Sequence, residues 1–138
     1  MKKRGQVSFE YLIIMGFVTF IIVGILSMAF FYSNNVKDRI KINQITNYAN
    51  KIVSTSESIF YAGYPSKATI TVYLPENVIS VDVNSAEDSI IIAIQTSSGI
   101  AKTSFSSNVP ISGTLGANTG LNKIQIEAGA TEVIISQV

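Results

Sequence analysis

The sequence predicts an α+β protein: a long N-terminal α-helix, apolar in its first half and amphipathic in its second, packed on a C-terminal antiparallel β domain of six or seven strands. Three observations carry this. Residues 11–32 (YLIIMGFVTFIIVGILSMAFFY) contain no charge. Beyond them a stripe of apolar residues recurs every three or four positions as far as Ile59. From Ala68 the alternation shortens to every second residue, with turn residues between the runs.

The uncharged run is 22 residues, roughly 33 Å as a helix, which matches the hydrocarbon thickness of a bilayer. A cleavable secretory signal has a shorter apolar core followed by small residues, whereas this run closes on Phe30-Phe31-Tyr32. Eleven of the thirteen Phe and Tyr residues lie at or before Tyr64. Phe9, Tyr11, Phe30, Phe31 and Tyr32 bracket the run as interfacial aromatic belts do. Gly16 and Gly24 form no GxxxG pair and read as small residues tolerated in a membrane helix.

Polar residues enter from Ser33, yet Ile42, Ile45, Ala49, Ile52, Ser56 and Ile59 keep a helical spacing. No proline precedes Pro65, so a single helix over 6–62, roughly 80 Å long, is compatible with the breakers. Ala62-Gly63-Tyr64-Pro65 ends it. Strands are expected at 68–74, 78–83, 89–96, 100–105, 109–115, 121–127 and 131–137, forming a sandwich or a curled sheet. The Gly116 to Gly120 segment is expected to be a long hairpin tip. A head domain over 66–138 is small for a self-sufficient β core. The helix stripe supplies the missing layer.

Composition narrows the chemistry. The 138 residues include no Cys, His or Trp, are 47% hydrophobic and 14% charged, and carry a formal +1. There is therefore no disulfide framework, no zinc site of the usual ligands, no Cys nucleophile and no His base. No catalytic residue, cofactor or metal is expected, and the thin, scattered basic residues argue against nucleic acid as a partner. Asp82, Glu87 and Asp88 lack the spacing of a calcium loop and read as a solvated turn. No N-x-S/T sequon is present.

The N-terminus is the most informative stretch. Lys2-Lys3-Arg4 precede Gly5, then Gln6-Val7-Ser8-Phe9-Glu10 lead into the apolar run. The cations read as a positive-inside anchor. Glu10 is the anomaly, because a carboxylate near the bilayer centre costs about 2.5–3.5 kcal/mol, and less at the margin. The residues leave two readings open, a carboxylate solvated in the headgroup layer and one that meets a specific cation in an assembled state. A cut between Gly5 and Gln6 places a new α-amino group one helical turn from Glu10, where one subunit's amine can neutralise its neighbour's carboxylate.

The stretch KKRGQVSFEYLIIM resembles the class III signal peptide of archaeal type IV pilins: a basic leader ending in Gly, then Q-x-S-x-E, then an apolar helix. Gln6, Ser8 and Glu10 match, with Gly5 before the cut; the position where that family has Leu is Ile14 here. The resemblance implies that a prepilin peptidase removes residues 1–5, discarding three cations and leaving 133 residues of formal charge −2. It implies that Glu10 registers subunits, and that the membrane helix is drawn into a filament core by an assembly ATPase and a platform protein. Leu12, Ile13, Ile14, Phe17, Phe20, Ile21, Phe30 and Phe31 would exchange lipid for other copies of the same chain. The implied product is a surface pilus for adhesion, preferred over an archaellum because the archaellum's subunits lack the Q-x-S-x-E pattern. The residues alone leave two other classes open: a minor or non-assembling pilin-like protein, and a binding module or enzyme tethered by the helix.

Overall fold

The computed structural model describes residues 4–138, with side chains from Phe9 onward. One helix, α1 (Arg4–Ala62), is followed by seven strands: β1 (Lys67–Leu74), β2 (Val78–Asn84), β3 (Ser89–Thr96), β4 (Gly99–Ser106), β5 (Ile111–Thr114), β6 (Gly120–Ala128) and β7 (Val133–Gln137). The chain divides into two compact units, one ending at Lys37 and the other spanning Asp38–Val138.

α1 begins two residues ahead of the expected start, within the ordinary variation of helix ends. It stops where glycine allows the chain to turn. Gly63 takes φ 76°, and its N–H is shared between the carbonyls of Ile59 (3.2 Å) and Phe60 (3.1 Å). A left-handed residue just past the helix satisfies two otherwise orphaned acceptors.

In the second unit the strands form two sheets. The four-stranded sheet runs β1-β6-β7-β5 and the three-stranded sheet β2-β3-β4. The three-stranded sheet is a meander. Asn84 Oδ1 accepts from the Ala86 amide (3.0 Å) to tighten its first turn, and Ser97-Ser98 form a two-residue hairpin loop before Gly99 at φ 129°.

Two expectations are corrected here. The β domain is mixed rather than wholly antiparallel, because β5 pairs parallel with β7. The Gly116 to Gly120 segment is no hairpin tip: β5 and β6 are separated by β7, so the connection passes over the end of β7. It is held there by side chains. Gln137 Oε1 accepts from the Gly116 amide (2.8 Å), Gln137 Nε2 donates to Asn122 Oδ1 (2.8 Å), and Asn122 Nδ2 donates to the Asn118 carbonyl (2.6 Å). Asn122 is buried, and this network satisfies both ends of its amide.

The core is one cluster joining both sheets and the helix stripe: Ile90, Ile92 and Ile94 from β3, Ile124 and Ile126 from β6, and Ile52 from α1 are all at most 2% exposed. β2 and β5 approach each other on one side of the sandwich. The opposite side, between edge strands β1 and β4, is where the helix fits. The Ala128 amide bonds to the Ser66 carbonyl, which fixes the alternation along β1 so that the Thr71 carbonyl points outward from the sheet edge. That carbonyl accepts from Lys51 of α1 (3.2 Å).

The buried stripe is Ile45, Tyr48, Ala49, Ile52 and Ser56, with Ile59 partly buried. Ile42, expected in the stripe, is 40% exposed, and the core begins one turn later at Ile45. Tyr48 joins the stripe beside the expected residues, its spacing from Ile45 and Ile52 fitting it; an aromatic with a polar tip reads ambiguously in sequence.

Candidate assembly helix and its head domain

The candidate site is the apolar surface of α1. Lys2 and Lys3 lie outside the described residues, and Arg4, Gly5, Gln6 and Ser8 are described only as helical backbone. Glu10 is exposed. Leu12, Ile13, Ile14, Phe17, Phe20, Ile21, Phe30 and Phe31 are all exposed, from 44% at Ile21 to 77% at Phe20. The helix is long and apolar enough to cross a membrane, and no residue of its most apolar window is buried.

Such a helix is apolar on every side. A soluble surface helix has one apolar stripe, whereas one hydrophobic all round belongs in lipid or among other helices. Its polar groups are already satisfied for such a setting. Thr19 Oγ1 donates to the Met15 carbonyl and Ser27 Oγ to the Val23 carbonyl, both at 2.8 Å. In hydrocarbon an unpaired hydroxyl is expensive, and bonding back to the carbonyl four residues earlier removes that cost without a partner chain.

Polar contacts fix the remainder of α1 on the head. The Asp38 carboxylate accepts from the Ser97 amide (3.0 Å) and from the Ser97 hydroxyl. Glu57 Oε1 accepts from Asn108 Nδ2 (2.7 Å) and from the Asn108 amide (3.2 Å). Ser97 and Asn108 flank the two ends of β4. The rise from Asp38 to Glu57 is roughly 29 Å and β4 is roughly 27 Å long, so this stretch of helix runs beside β4 along its whole length. The two Ser97 hydrogen bonds, assisted by Lys41, hold the Asp38 carboxyl below its usual range. None of these pairs was legible in the sequence. Their partners lie 51 and 59 residues apart, and an exposed Asp or Glu on a helix carries no mark of such a contact.

A groove of about 220 Å³ opens between α1 and β1, lined by Gln44, Asn47, Tyr48, Lys51, Thr71 and Tyr73 among others. Burial pushes the Tyr48 phenol up to about 12, so it remains protonated and a donor at neutral pH.

No family model, curated protein or solved structure matches this chain. The functional reading therefore rests on the residues and their geometry. Among the described residues no group of three or more acidic side chains could hold a metal ion. Asp82 is engaged by the Ser80 hydroxyl (2.9 Å), and Asp88 by the Ile111 amide (3.2 Å).

Proposed function

We propose that the chain is the structural subunit of an archaeal type IV pilus. It enters the membrane as a precursor and is cut between Gly5 and Gln6 by a prepilin peptidase. An assembly ATPase and platform protein then drive it into a helical homopolymer on the cell surface, for adhesion. The observation that carries this reading is the combination of a wholly exposed, bilayer-length apolar helix with a head that already closes its own core using the helix's second half. An anchor needs only to span. The Q-x-S-x-E sequence placed directly against the apolar run is the feature that a simple anchor does not require.

The chemistry of assembly follows from the solvent. Lipid tails and Leu are comparably apolar, so moving the helix from bilayer to filament core gains packing rather than hydrophobic burial, and extraction has to be driven. Glu10 has no such indifference. In a water-poor core it requires a cation, and the α-amino group of Gln6 from a neighbouring subunit is the one that cleavage would create.

Amino-terminal sequencing of the protein from its own membranes and negative-stain microscopy of sheared cell surfaces test the proposal together. A chain beginning at Gln6 and present in filaments is the expected result. A chain that keeps Met1 overturns it, and processing at Gln6 without filaments reassigns the chain to the non-assembling, pilin-like class.

A further inference from the structure

Charge in the β-rich head is unevenly placed. Residues 66–138 carry three cations, Lys67, Lys102 and Lys123, against six carboxylates, Glu76, Asp82, Glu87, Asp88, Glu127 and Glu132. Among the described residues the structure holds one ion pair, Lys67–Glu127 at 3.8 Å. Lys51 of α1 is exposed and bonds only to a neutral carbonyl, that of Thr71. It lines the α1–β1 groove together with the amides of Gln44 and Asn47 and with Tyr48, a side chain 2% exposed. A cation with no ion-pair partner among the described residues, beside amide and phenol groups able to donate, is a receptor for a carboxylate.

The six head carboxylates differ in availability. Glu127 is paired, Asp82 and Asp88 accept hydrogen bonds within the head, and Glu132 is partly buried. Glu76 stands three residues beyond Tyr73, which itself lines the groove. Glu87 is exposed at the β2–β3 turn, with no hydrogen-bond or ion-pair partner among the described residues. That turn is held by the Asn84–Ala86 contact and by the Asp88 carbonyl, which accepts from the Ser107 amide (2.7 Å).

We propose that the α1–β1 groove is the seat of Glu87 from a second copy of this chain, its carboxylate meeting Lys51 and the donors around it. The inference rests on the filament reading and names the contact between heads. Groove and turn are different surfaces of one molecule, so the contact is heterologous. Repeated without closure it propagates as an open helical array, the symmetry a filament needs.

A zero-length carbodiimide, which activates a carboxylate so that a touching lysine amine forms an amide while the reagent leaves as its urea, tests it on sheared filaments of the full-length mature protein. Peptide mapping is expected to find Lys51 joined to Glu87 between copies, and to lose that product in detergent-dispersed monomers. Glu87→Gln removes the cross-link and lowers filament yield several-fold at moderate salt; since Glu87 is exposed and unpartnered, the monomer's melting temperature stays unchanged. The reversed pair Lys51→Glu with Glu87→Lys recovers yield that either single change loses. Intact filaments in which Lys51 couples to no carboxylate, or to one other than Glu87, overturn the contact and leave the filament reading standing. Chains processed at Gln6 that never form filaments overturn both.

Discussion

The Asp38 carboxylate receives two hydrogen bonds from Ser97, one from its amide and one from its hydroxyl, across 59 residues of sequence. It joins the helix to the tip of the β3–β4 hairpin just past the uncharged run. Because the contact favours the ionised form, the carboxyl titrates below its ordinary value of 3.8. A group whose folded-state value is depressed stabilises fully above the unfolded value and loses that contribution as pH falls through the folded one. Thermal melts of the full chain in detergent are therefore expected to show a stability loss below about pH 4 that is smaller in Asp38→Asn. Equal acid sensitivity in the two proteins would remove this role from Asp38.

Gly113 in β5 is required by its surroundings. It sits at φ 129°, and a Cβ there would lie 1.9 Å from the Ile135 carbonyl oxygen of β7. Gly113→Ala combines backbone strain with a backbone clash at the one parallel pairing of the head, and is expected to cost about 3 kcal/mol or more. Chemical denaturation of the detergent-dispersed chain measures it, and a loss below about 1 kcal/mol would show that β5 can shift.

Ile52 and Phe20 separate the two jobs of the helix. Ile52 is fully buried and Phe20 is 77% exposed. Ile52→Ala is expected to destabilise the head by about 2–5 kcal/mol. Phe20→Ala should leave head stability within about 0.5 kcal/mol while reducing filament yield. Head melting and filament counts on the same two variants check this, and an unstable head in Phe20→Ala contradicts it.

Ser56 faces the core at 0% exposure with its Oγ unpartnered. Replacing it by Ala removes a buried hydroxyl and adds a better helix former. Ser56→Ala is expected to raise head stability by about 1 kcal/mol, read as a higher melting temperature. A fall in melting temperature would mean that the hydroxyl is engaged.

Glu10 lies exposed at the start of the apolar run. Glu10→Ala and Glu10→Lys are both expected to leave membrane insertion intact and to reduce filaments at least several-fold, measured by membrane fractionation and electron microscopy side by side. Normal filaments from both variants would refute the assembly role of the carboxylate.

Much of the architecture was legible because it is local. The uncharged stretch, the helix end at Gly63 and seven strands placed within about two residues all follow from periodicity and turn chemistry along the chain. The core-facing isoleucines of β3 and β6 follow from the same alternation. By contrast, no residue of β5 signals that it will lie parallel to β7 rather than form a hairpin with β6, since the choice depends on which edges meet. Asp38, Lys51 and Glu57 look in sequence like ordinary solvated positions, and only the packed head supplies Ser97, Thr71 and Asn108 as their partners.

The division has a single physical source. Hydropathy and backbone preference act between near neighbours, so the chain alone determined a bilayer-length helix, its amphipathic continuation, the helix stop and the strands. Strand pairing and long-range hydrogen bonds depend on groups that loop closure brings together over tens of residues. The tertiary structure therefore decided the mixed sheet, the loop over β7, the helix seated between β1 and β4, and the donor-lined groove around Lys51.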